Sequence, residues 1–171
     1  MGHLALVAGI PGCGKTTFMQ WLAREKGYFH LDMERGGLEK EGFRDAWNKF
    51  VGDVSQNEFF NQLKARYSRI VLDWNFNPAA LELVRIVQQR GFQLWWFEGD
   101  RLAARRSFIK RGTESVDNFD CQVGKQCAAW KSIEPMVGRR LIRTLTARGI
   151  FLSHEKIYKR FVERVDESVG T

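Results

Sequence analysis

The stretch that decides the fold is Gly9-Ile-Pro-Gly-Cys-Gly-Lys15-Thr16, which matches the pattern GxxxxGK[ST] in full. It follows a short apolar run at His3–Ala8 and precedes a segment of helical character at Lys15–Lys26. In a strand–loop–helix context, glycines let the backbone curl so that successive N–H groups point at phosphate oxygens. The N-terminus of the following helix adds partial positive charge. The stretch therefore predicts a site for a nucleoside triphosphate.

The residue types in this loop predict separate roles. Lys15 has the length to reach the β- and γ-phosphates, and the hydroxyl of Thr16 can ligate Mg²⁺. Cys13 is expected to be inert, because no histidine lies near it in sequence. The predicted cofactors are thus a nucleoside triphosphate, taken to be ATP, and Mg²⁺. No adenine-reading motif is visible, so the choice between ATP and GTP stays open. The predicted nucleotide-binding residues of this segment are Gly9, Gly12, Cys13, Gly14, Lys15, Thr16 and Thr17.

Short apolar runs alternate with helical segments along the rest of the chain, which is typical of a parallel sheet wrapped by helices. We expect an α/β fold of the P-loop NTPase type, with about five strands and a helical lid at about 101–131. Because no Gly-, Pro- or Ser-rich linker interrupts the chain, residues 1–171 are predicted to form one domain. The further predicted strands are Tyr28–Asp32, Arg69–Asp73, Phe92–Phe97 and Leu141–Leu145, with Ile150–Leu152 as a short extension.

Capping signals help to place the predicted helices. Ser55 and Glu58 have the spacing of a capping box, Asn77 precedes Pro78 at a helix start, and Ser153 can cap the last helix. The predicted helices are Leu38–Phe50, Ser55–Tyr67, Pro78–Arg90, Asp100–Lys110, Gln122–Lys131 and Ser153–Glu167.

Composition excludes several classes of protein. The chain has 171 residues, of which 44% are hydrophobic and 27% charged, so it is neither disordered nor low in complexity. It holds no uncharged apolar run of about 18 residues, which argues against a membrane span. Three cysteines in no metal-like spacing argue against a disulfide framework and a zinc site. With no leader-like segment at the start, we expect a cytoplasmic protein; the oligomeric state stays open.

Basic charge is concentrated in one stretch. Lys and Arg number 27 against 20 Asp and Glu, and residues 101–148 hold 11 basic and four acidic residues, which accounts for the whole excess of +7. A localised basic surface suggests a polyanionic partner such as nucleic acid, or several phosphates in one site. A solvated basic face without a partner is the other interpretation.

The motifs beyond the loop favour a small phosphotransferase over a switch or a motor. The sequence contains no Asn/Thr-Lys-x-Asp guanine reader, and Asp73 is followed by Trp74 instead of the Glu usual in motors. Asp32 ends a predicted strand, so it would lie at the carboxyl edge of the sheet and could accept a proton from an acceptor hydroxyl. It could equally be a turn or helix-capping residue.

Further candidates surround this predicted reaction. Arg35 could hold an acceptor phosphate or orient Asp32, and Asp73 could support Mg²⁺. Arg106 and Arg111 are candidates to close over the phosphates, with Gly112-Thr113 as the hinge of a mobile lid.

The order of these motifs resembles the kinase domain of phage polynucleotide kinase over roughly residues 4–131. The matching segments are the phosphate loop, Asp32-Met-Glu-Arg35, Asp73-Trp-Asn75-Phe-Asn77-Pro78 and Lys110-Arg111-Gly112-Thr113. The resemblance implies that Lys15 and Arg111 stabilise the transferring phosphoryl group and that Asp32 is the general base. It also implies that Arg35 contacts an acceptor phosphate and that Asp73 supports the metal or the acceptor loop. Residues 38–67 and 132–171 have no counterpart in it.

The chain is also similar to phage P-loop kinases that phosphorylate a hydroxymethyl group on a modified pyrimidine in DNA. A base taken out of the stack needs an aromatic surface to receive it. Trp74 follows Asp73 and is the best candidate, with Asn75 beside it, and Trp47 could line the acceptor groove. Trp95 and Trp96 are expected in the core, since neighbours on a strand point to opposite faces.

Three functions are carried forward. The first is an ATP-dependent kinase that acts on a hydroxyl of DNA, either 5-hydroxymethyluracil or a 5′-hydroxyl end. The second is a kinase of free nucleosides or nucleoside monophosphates. The third is a noncatalytic, nucleotide-dependent DNA-binding module, which would show strongly salt-dependent binding.

Overall fold

A computed structural model describes residues 3–112 and 115–166. Its centre is a five-stranded sheet in the order β2-β3-β1-β4-β5, in which β2–β3, β3–β1 and β4–β5 pair in parallel. The predicted fold class, a parallel α/β sheet flanked by helices, is confirmed. The strands are β1 (His3–Gly9), β2 (Phe29–Asp32), β3 (Arg69–Asp73), β4 (Gln93–Gly99) and β5 (Leu141–Leu145).

Helices connect the parallel strands, as parallel pairing requires. A 3₁₀ turn at Pro78–Ala80 precedes the fifth helix. The α-helices are α1 (Lys15–Lys26), α2 (Gly37–Lys40), α3 (Arg44–Gly52), α4 (Glu58–Arg66), α5 (Leu81–Gln89), α6 (Arg101–Lys110), α7 (Val116–Ala128), α8 (Trp130–Val137) and α9 (His154–Asp166). Within the described residues, no helix is both long and apolar enough to cross a membrane.

The backbone divides into two compact units. The first unit holds residues 3–7 and 19–94, and the second holds 8–18 and 95–166. The phosphate-binding segment and the predicted lid therefore belong to the second unit, whereas Asp32 and Asp73 belong to the first. That residues 1–171 act as one domain stays a prediction.

The first unit is built around buried aromatic side chains. Phe43 and Phe59 have ring centroids 6.0 Å apart, Phe59 and Phe60 5.1 Å, and Phe60 and Phe92 5.8 Å, so the rings form a continuous cluster. Such edge-to-face and tilted ring contacts add to the free energy gained by removing apolar area from water. The cluster packs the helices of residues 37–66 into a fixed scaffold.

The second unit uses both faces of β4. Trp95 packs against Phe161 of α9, with ring centroids 4.7 Å apart. Trp96 faces Trp130 of α8 at 5.4 Å. Both indoles on β4 are buried, which confirms the predicted core role of Trp95 and Trp96.

The structure differs from two predicted helices, one at Gly42 and the other at Ser55. The segment Leu38–Phe50 is broken into α2 and α3, because Gly42 takes a left-handed φ of 76° and the N–H of Phe43 donates to the carbonyl of Leu38. The predicted capping box is wrong. The backbone N–H and the hydroxyl of Ser55 both donate to Asp53 Oδ1, at 3.0 and 2.7 Å, so α4 begins only at Glu58.

The segment predicted as Gln122–Lys131 begins earlier. α7 starts at Val116, where Ser115 Oγ accepts a hydrogen bond from the N–H of Asn118 at 3.3 Å. Ile150–Leu152 contributes only one antiparallel bridge, between Leu145 and Phe151, in place of a strand extension. The predicted cap at Asn77 is confirmed, since its Oδ1 accepts from the N–H of Ala79 at 3.0 Å.

Candidate nucleotide-binding and phosphoryl-transfer site

The loop after β1 depends on glycines. Gly9, Gly12 and Gly14 have φ values of 136°, 80° and 78°, which L side chains rarely adopt. A Cβ atom on Gly9 would stand 2.0 Å from the carbonyl oxygen of Phe97, and one on Gly12 would stand 2.2 Å from that of Ala104. A Cβ atom at either position would clash with a backbone carbonyl oxygen, which cannot rotate away as a flexible side chain can. The loop therefore combines left-handed backbone with close packing against β4 and α6.

Two hydrogen bonds fix the curled loop to β4 and β5. The N–H of Ile10 donates to the carbonyl of Phe97 at 3.0 Å. The hydroxyl of Thr144, which is fully buried, donates to the carbonyl of Cys13 at 2.7 Å. The sequence analysis did not single out Thr144. Its only signal there is a hydroxyl on the buried face of β5, between the apolar residues Ile142 and Leu145.

Lys15 lies within the curl of the loop. Its side chain is 8% exposed, and Nζ donates to the carbonyls of Gly9 and Ile10, at 2.9 Å each. A buried ammonium group requires such partners, because burying an unpaired charge is costly. Phosphate oxygens offer it stronger, charge-assisted acceptors. The loop thus places the Lys15 ammonium beside backbone carbonyls of Gly9 and Ile10, and this local positive charge suits a polyphosphate ligand.

The first turn of α1 carries the remaining predicted ligands. Thr16 is half-buried and Thr17 is exposed. A threonine hydroxyl is an oxygen ligand of the type that Mg²⁺ binds, and phosphate oxygens bound at the loop would share the ion. No three His, Cys, Asp or Glu side chains gather as a metal cluster among the described residues. The residues present fit an ion held mostly by phosphate and water.

Cys13 is buried, and this burial raises the pKa of its thiol to about 11. At neutral pH the thiol is therefore protonated and a poor nucleophile. The expectation that Cys13 is chemically inert agrees with this geometry.

A small cavity adjoins the loop within the second unit. It measures about 220 Å³, and its lining includes Gly14 and Thr17 together with Phe151, Leu152 and His154. Phe151 is 45% exposed, and its ring stands 3.2 Å from the position a Cβ on Gly14 would take. The sequence analysis did not assign a role to these residues. An accessible aromatic ring beside a phosphate loop is a surface on which a nucleobase can stack.

The predicted lid is anchored but carries exposed cations. Asp100 caps α6 by accepting from the N–H of Ala103 at 2.9 Å, and Arg105 pairs with Asp120 of α7 through Nε at 3.0 Å. The Arg105 guanidinium holds the pKa of Asp120 below its usual range. Arg105 thus links α6 to α7 and is engaged in structure.

Arg106 and Arg111, the two candidates for phosphate closure, are both exposed. The guanidinium of Arg111 lies 5.3 Å from the centre of the Phe108 ring, at the end of α6. Thr113 of the predicted hinge lies outside the described residues. A moving lid stays a prediction.

In the first unit, Asp32 ends β2 with an oriented carboxylate. Its Oδ1 accepts hydrogen bonds from the N–H groups of Glu34 and Arg35, at 2.9 Å each. Gly37 packs against the same turn, since a Cβ there would stand 2.3 Å from the carbonyl oxygen of Asp32. The two roles predicted for Asp32 are thus compatible. Oδ1 holds the turn, and Oδ2, which has no hydrogen-bond partner in the described part of the chain, is the oxygen left to accept a proton.

Asp73 is the neighbour of Asp32 in the sheet, since the two residues are paired in the β2–β3 register. It is 7% exposed, and its Oδ2 lies 3.6 Å from Nε2 of His30. Carboxyl ends of parallel strands share one edge, so both carboxylates belong to the same edge of the first unit. Asp73 thus offers a buried oxygen donor of the type that Mg²⁺ prefers.

The aromatic candidates differ from one another. Trp74 is half-buried, with its ring 5.4 Å from that of Trp47 and 5.7 Å from that of Phe76. Trp47 is 8% exposed and also packs against Phe59 at 5.1 Å. Neighbouring aromatic rings enclose the ring of Trp47, and one of these rings is that of Trp74. That Trp47 lines the acceptor groove stays a prediction.

Two predicted acceptor-side residues remain. Asn75 is half-buried after β3, and Arg35 is exposed in the turn that Asp32 holds. Neither position excludes contact with an acceptor, and their roles stay predictions.

The structure resembles solved kinases. A gluconokinase from Sinorhizobium meliloti 1021 superposes with a TM-score of 0.57 at 12% identity, covering 98% of this chain and 95% of that one. A shikimate kinase from Bacteroides thetaiotaomicron gives 0.53 at 13% identity, with both chains covered in full at 100%. The chain therefore has the P-loop kinase fold.

No protein-family model matches the chain, and no curated protein matches it by sequence. A relationship to phage polynucleotide kinases is not shown by these comparisons and stays a prediction.

Proposed function

We propose that this protein is a kinase that transfers the γ-phosphoryl group of ATP to a hydroxyl of a small, freely diffusing acceptor. The observation that carries the proposal is the glycine-built loop with the buried ammonium of Lys15 in its curl. The two similar solved structures are a gluconokinase and a shikimate kinase, which favours a small acceptor over a polymer. Free nucleosides and nucleoside monophosphates are also small, freely diffusing acceptors, and we prefer them within this class of substrate.

The second unit would bind the donor. Backbone N–H groups of the loop and the Lys15 ammonium would hold the β- and γ-phosphates, and Arg106 and Arg111 would place positive charge against the negative charge of the transferring phosphoryl group. The base of the nucleotide would stack on Phe151 in the adjoining cavity. Thr16 would hold Mg²⁺ in this unit, and the ion would neutralise charge on the phosphates when bound. A supporting role of Asp73 for the metal stays a prediction.

The first unit would activate the acceptor. The acceptor oxygen attacks the γ-phosphorus as its proton passes to Asp32 Oδ2, and the bond from that phosphorus to the β–γ bridging oxygen breaks, which releases ADP. The two N–H groups on Oδ1 orient the carboxylate for this transfer. Arg35 and Trp74 are candidates for positioning the acceptor.

One observation favours DNA as a second candidate acceptor. The whole net charge of +7 falls within residues 101–148, and many of these cations are exposed. A basic surface of this kind attracts a polyanion without reading its sequence. A noncatalytic DNA-binding module would use the same surface and release no ADP.

An acceptor screen separates these candidates. The protein is incubated with Mg²⁺ and γ-labelled ATP against gluconate, shikimate, nucleosides, nucleoside monophosphates, and DNA oligonucleotides with 5′-hydroxyl ends or 5-hydroxymethyluracil. The proposal expects label in a small acceptor and none in DNA. Label in DNA alone would replace it with the second candidate. Salt-sensitive DNA binding without transfer to any acceptor would contradict both kinase proposals.

A further inference from the structure

A second and larger cavity lies within the second unit and is not used by the proposed reaction. It measures about 360 Å³, which is within the usual range for small-molecule sites. Its walls come from β4, β5, α6, α7, α8 and one residue of the phosphate loop, Ile10. It is distinct from the cavity at Phe151, with which it shares no lining residue.

The walls of this cavity combine aromatic rings with charges of both signs. Trp96 and Trp130 line it with rings 5.4 Å apart and inclined at 59°. Glu98 and Arg143 line it as a pair joined at 2.7 Å. Two indole rings in one wall are suited to a planar ligand, because aromatic faces stack on aromatic faces with little loss of side-chain freedom.

Two further charges remain for a ligand. Arg101 and Glu134 line the cavity and form no ion pair with the described residues. A guanidinium donates hydrogen bonds only, and a carboxylate accepts them only. Because one charge of each sign is left over, the cavity favours a neutral ligand that carries both an acceptor and a donor over a multiply charged anion.

The cavity is also connected to the phosphate loop. Gln126, which is 6% exposed, lines it, and its Nε2 lies 3.4 Å from the carbonyl of Gly9. That carbonyl is one of the two that hold the Lys15 ammonium. An occupant would therefore lie against the structural support of the loop.

We propose that this cavity binds a planar heterocycle of the nucleobase type, with a ring N–H and a neighbouring C=O. The ring packs against Trp130, its N–H donates to Glu134, and its C=O accepts from Arg101. The site is separate from the phosphate loop and from the cavity at Phe151, so it does not depend on the proposed kinase reaction.

The test measures binding to the whole protein without ATP, using uridine as the probe and the indole N–H resonance of Trp130 as the signal. The Trp130→Phe variant assigns that resonance. 3-Methyluridine, in which a methyl group replaces the ring proton, is the matched ligand control. We expect uridine to shift the Trp130 resonance and 3-methyluridine to bind at least about tenfold more weakly, because its carboxylate partner loses a hydrogen bond.

Side-chain variants locate the site. Glu134→Gln and Arg101→Gln should each weaken uridine binding by about five- to tenfold, whereas the matched surface variants Glu155→Gln and Arg160→Gln on α9 should not change it.

The proposal is overturned if uridine leaves the Trp130 resonance unmoved or if uridine and 3-methyluridine bind equally. It is also overturned if Phe151→Ala abolishes uridine binding while Glu134→Gln leaves it unchanged, since the ligand would then occupy the other cavity.

Discussion

The phosphate loop of the second unit and the acceptor edge of the first unit are built by different means. The loop is defined by backbone: left-handed glycines, carbonyls turned onto Lys15, and anchors on β4 and β5. The predicted acceptor edge is defined by side chains, namely the carboxylates of Asp32 and Asp73, which are paired in the β2–β3 register. A site made of backbone tolerates few substitutions and recurs as a fixed sequence pattern. A site made of side chains can change its substrate without changing the fold.

The largest effect is expected at Lys15 of the loop. Lys15→Met keeps most of the aliphatic stem but removes the charge that, in the proposed reaction, stabilises the transferring phosphoryl group. We expect turnover of ATP to fall by about a hundredfold or more, with Lys40→Met, a change at an exposed position of α2, as the control. Turnover within threefold of the unmodified protein would remove Lys15 from the reaction.

The next effect separates backbone strain from close packing. Gly12→Ala places a Cβ against a carbonyl oxygen, whereas a Cβ on Gly27, which has a similar φ of 67°, meets nothing within 4 Å. We expect Gly12→Ala to lower the free energy of unfolding by more than about 3 kcal/mol and Gly27→Ala by about 1 kcal/mol. Urea unfolding measures both. Equal losses would mean that the loop is not tightly packed.

A smaller effect is expected at the anchor on β5. Thr144→Val removes the hydroxyl that donates to Cys13 and leaves a buried carbonyl without that bond, which costs about 1–2 kcal/mol. Nucleotide affinity should fall with it, because the loop loses a support. Thr144→Ser restores the hydroxyl and should recover most of both losses. If valine and serine behave alike in unfolding and nucleotide titrations, the hydrogen bond does not stabilise the loop.

The mildest test concerns thiol reactivity. Burial raises the pKa of Cys13 to about 11, whereas Cys121 and Cys127 are exposed on α7. In the folded protein at pH 8, we expect iodoacetamide to modify Cys121 and Cys127 and to spare Cys13. The reactivity of Cys13 should increase only as the pH rises towards its raised pKa or when the chain unfolds. Mass spectrometry measures the modification of each cysteine over time. Rapid modification of Cys13 at pH 8 would show that its thiol is accessible and that the loop is not closely packed.

The same contrast explains what could be predicted from sequence. The strand, glycine loop and helix were predictable because GxxxxGK[ST] specifies backbone conformation and not only composition. The strand ends at Asp32 and Asp73 were predictable because each closes a short apolar run. Their pairing in one register depends on which strands become neighbours, and this is decided by packing across the whole sheet.

The errors lie where tertiary packing outweighs local preference. Ser55 has the spacing of a capping box, yet Asp53 captures its hydroxyl and its N–H. The enclosure of Trp47 by neighbouring rings is likewise not visible in the spacing of the sequence. Thr144 was missed because its partner is the carbonyl of Cys13, far away in the chain.

The most direct test of the account is Asp32→Asn with the acceptor that the screen identifies. Asparagine keeps an oxygen for the N–H groups of Glu34 and Arg35 but cannot take the proton, so the turn should hold while the chemistry fails. We predict that kcat falls by about a hundredfold or more, whereas the Kd for ATP and the free energy of unfolding change little. If kcat, ATP affinity and stability all fall together, or if kcat is unchanged, Asp32 only holds the turn and the proposed mechanism is wrong.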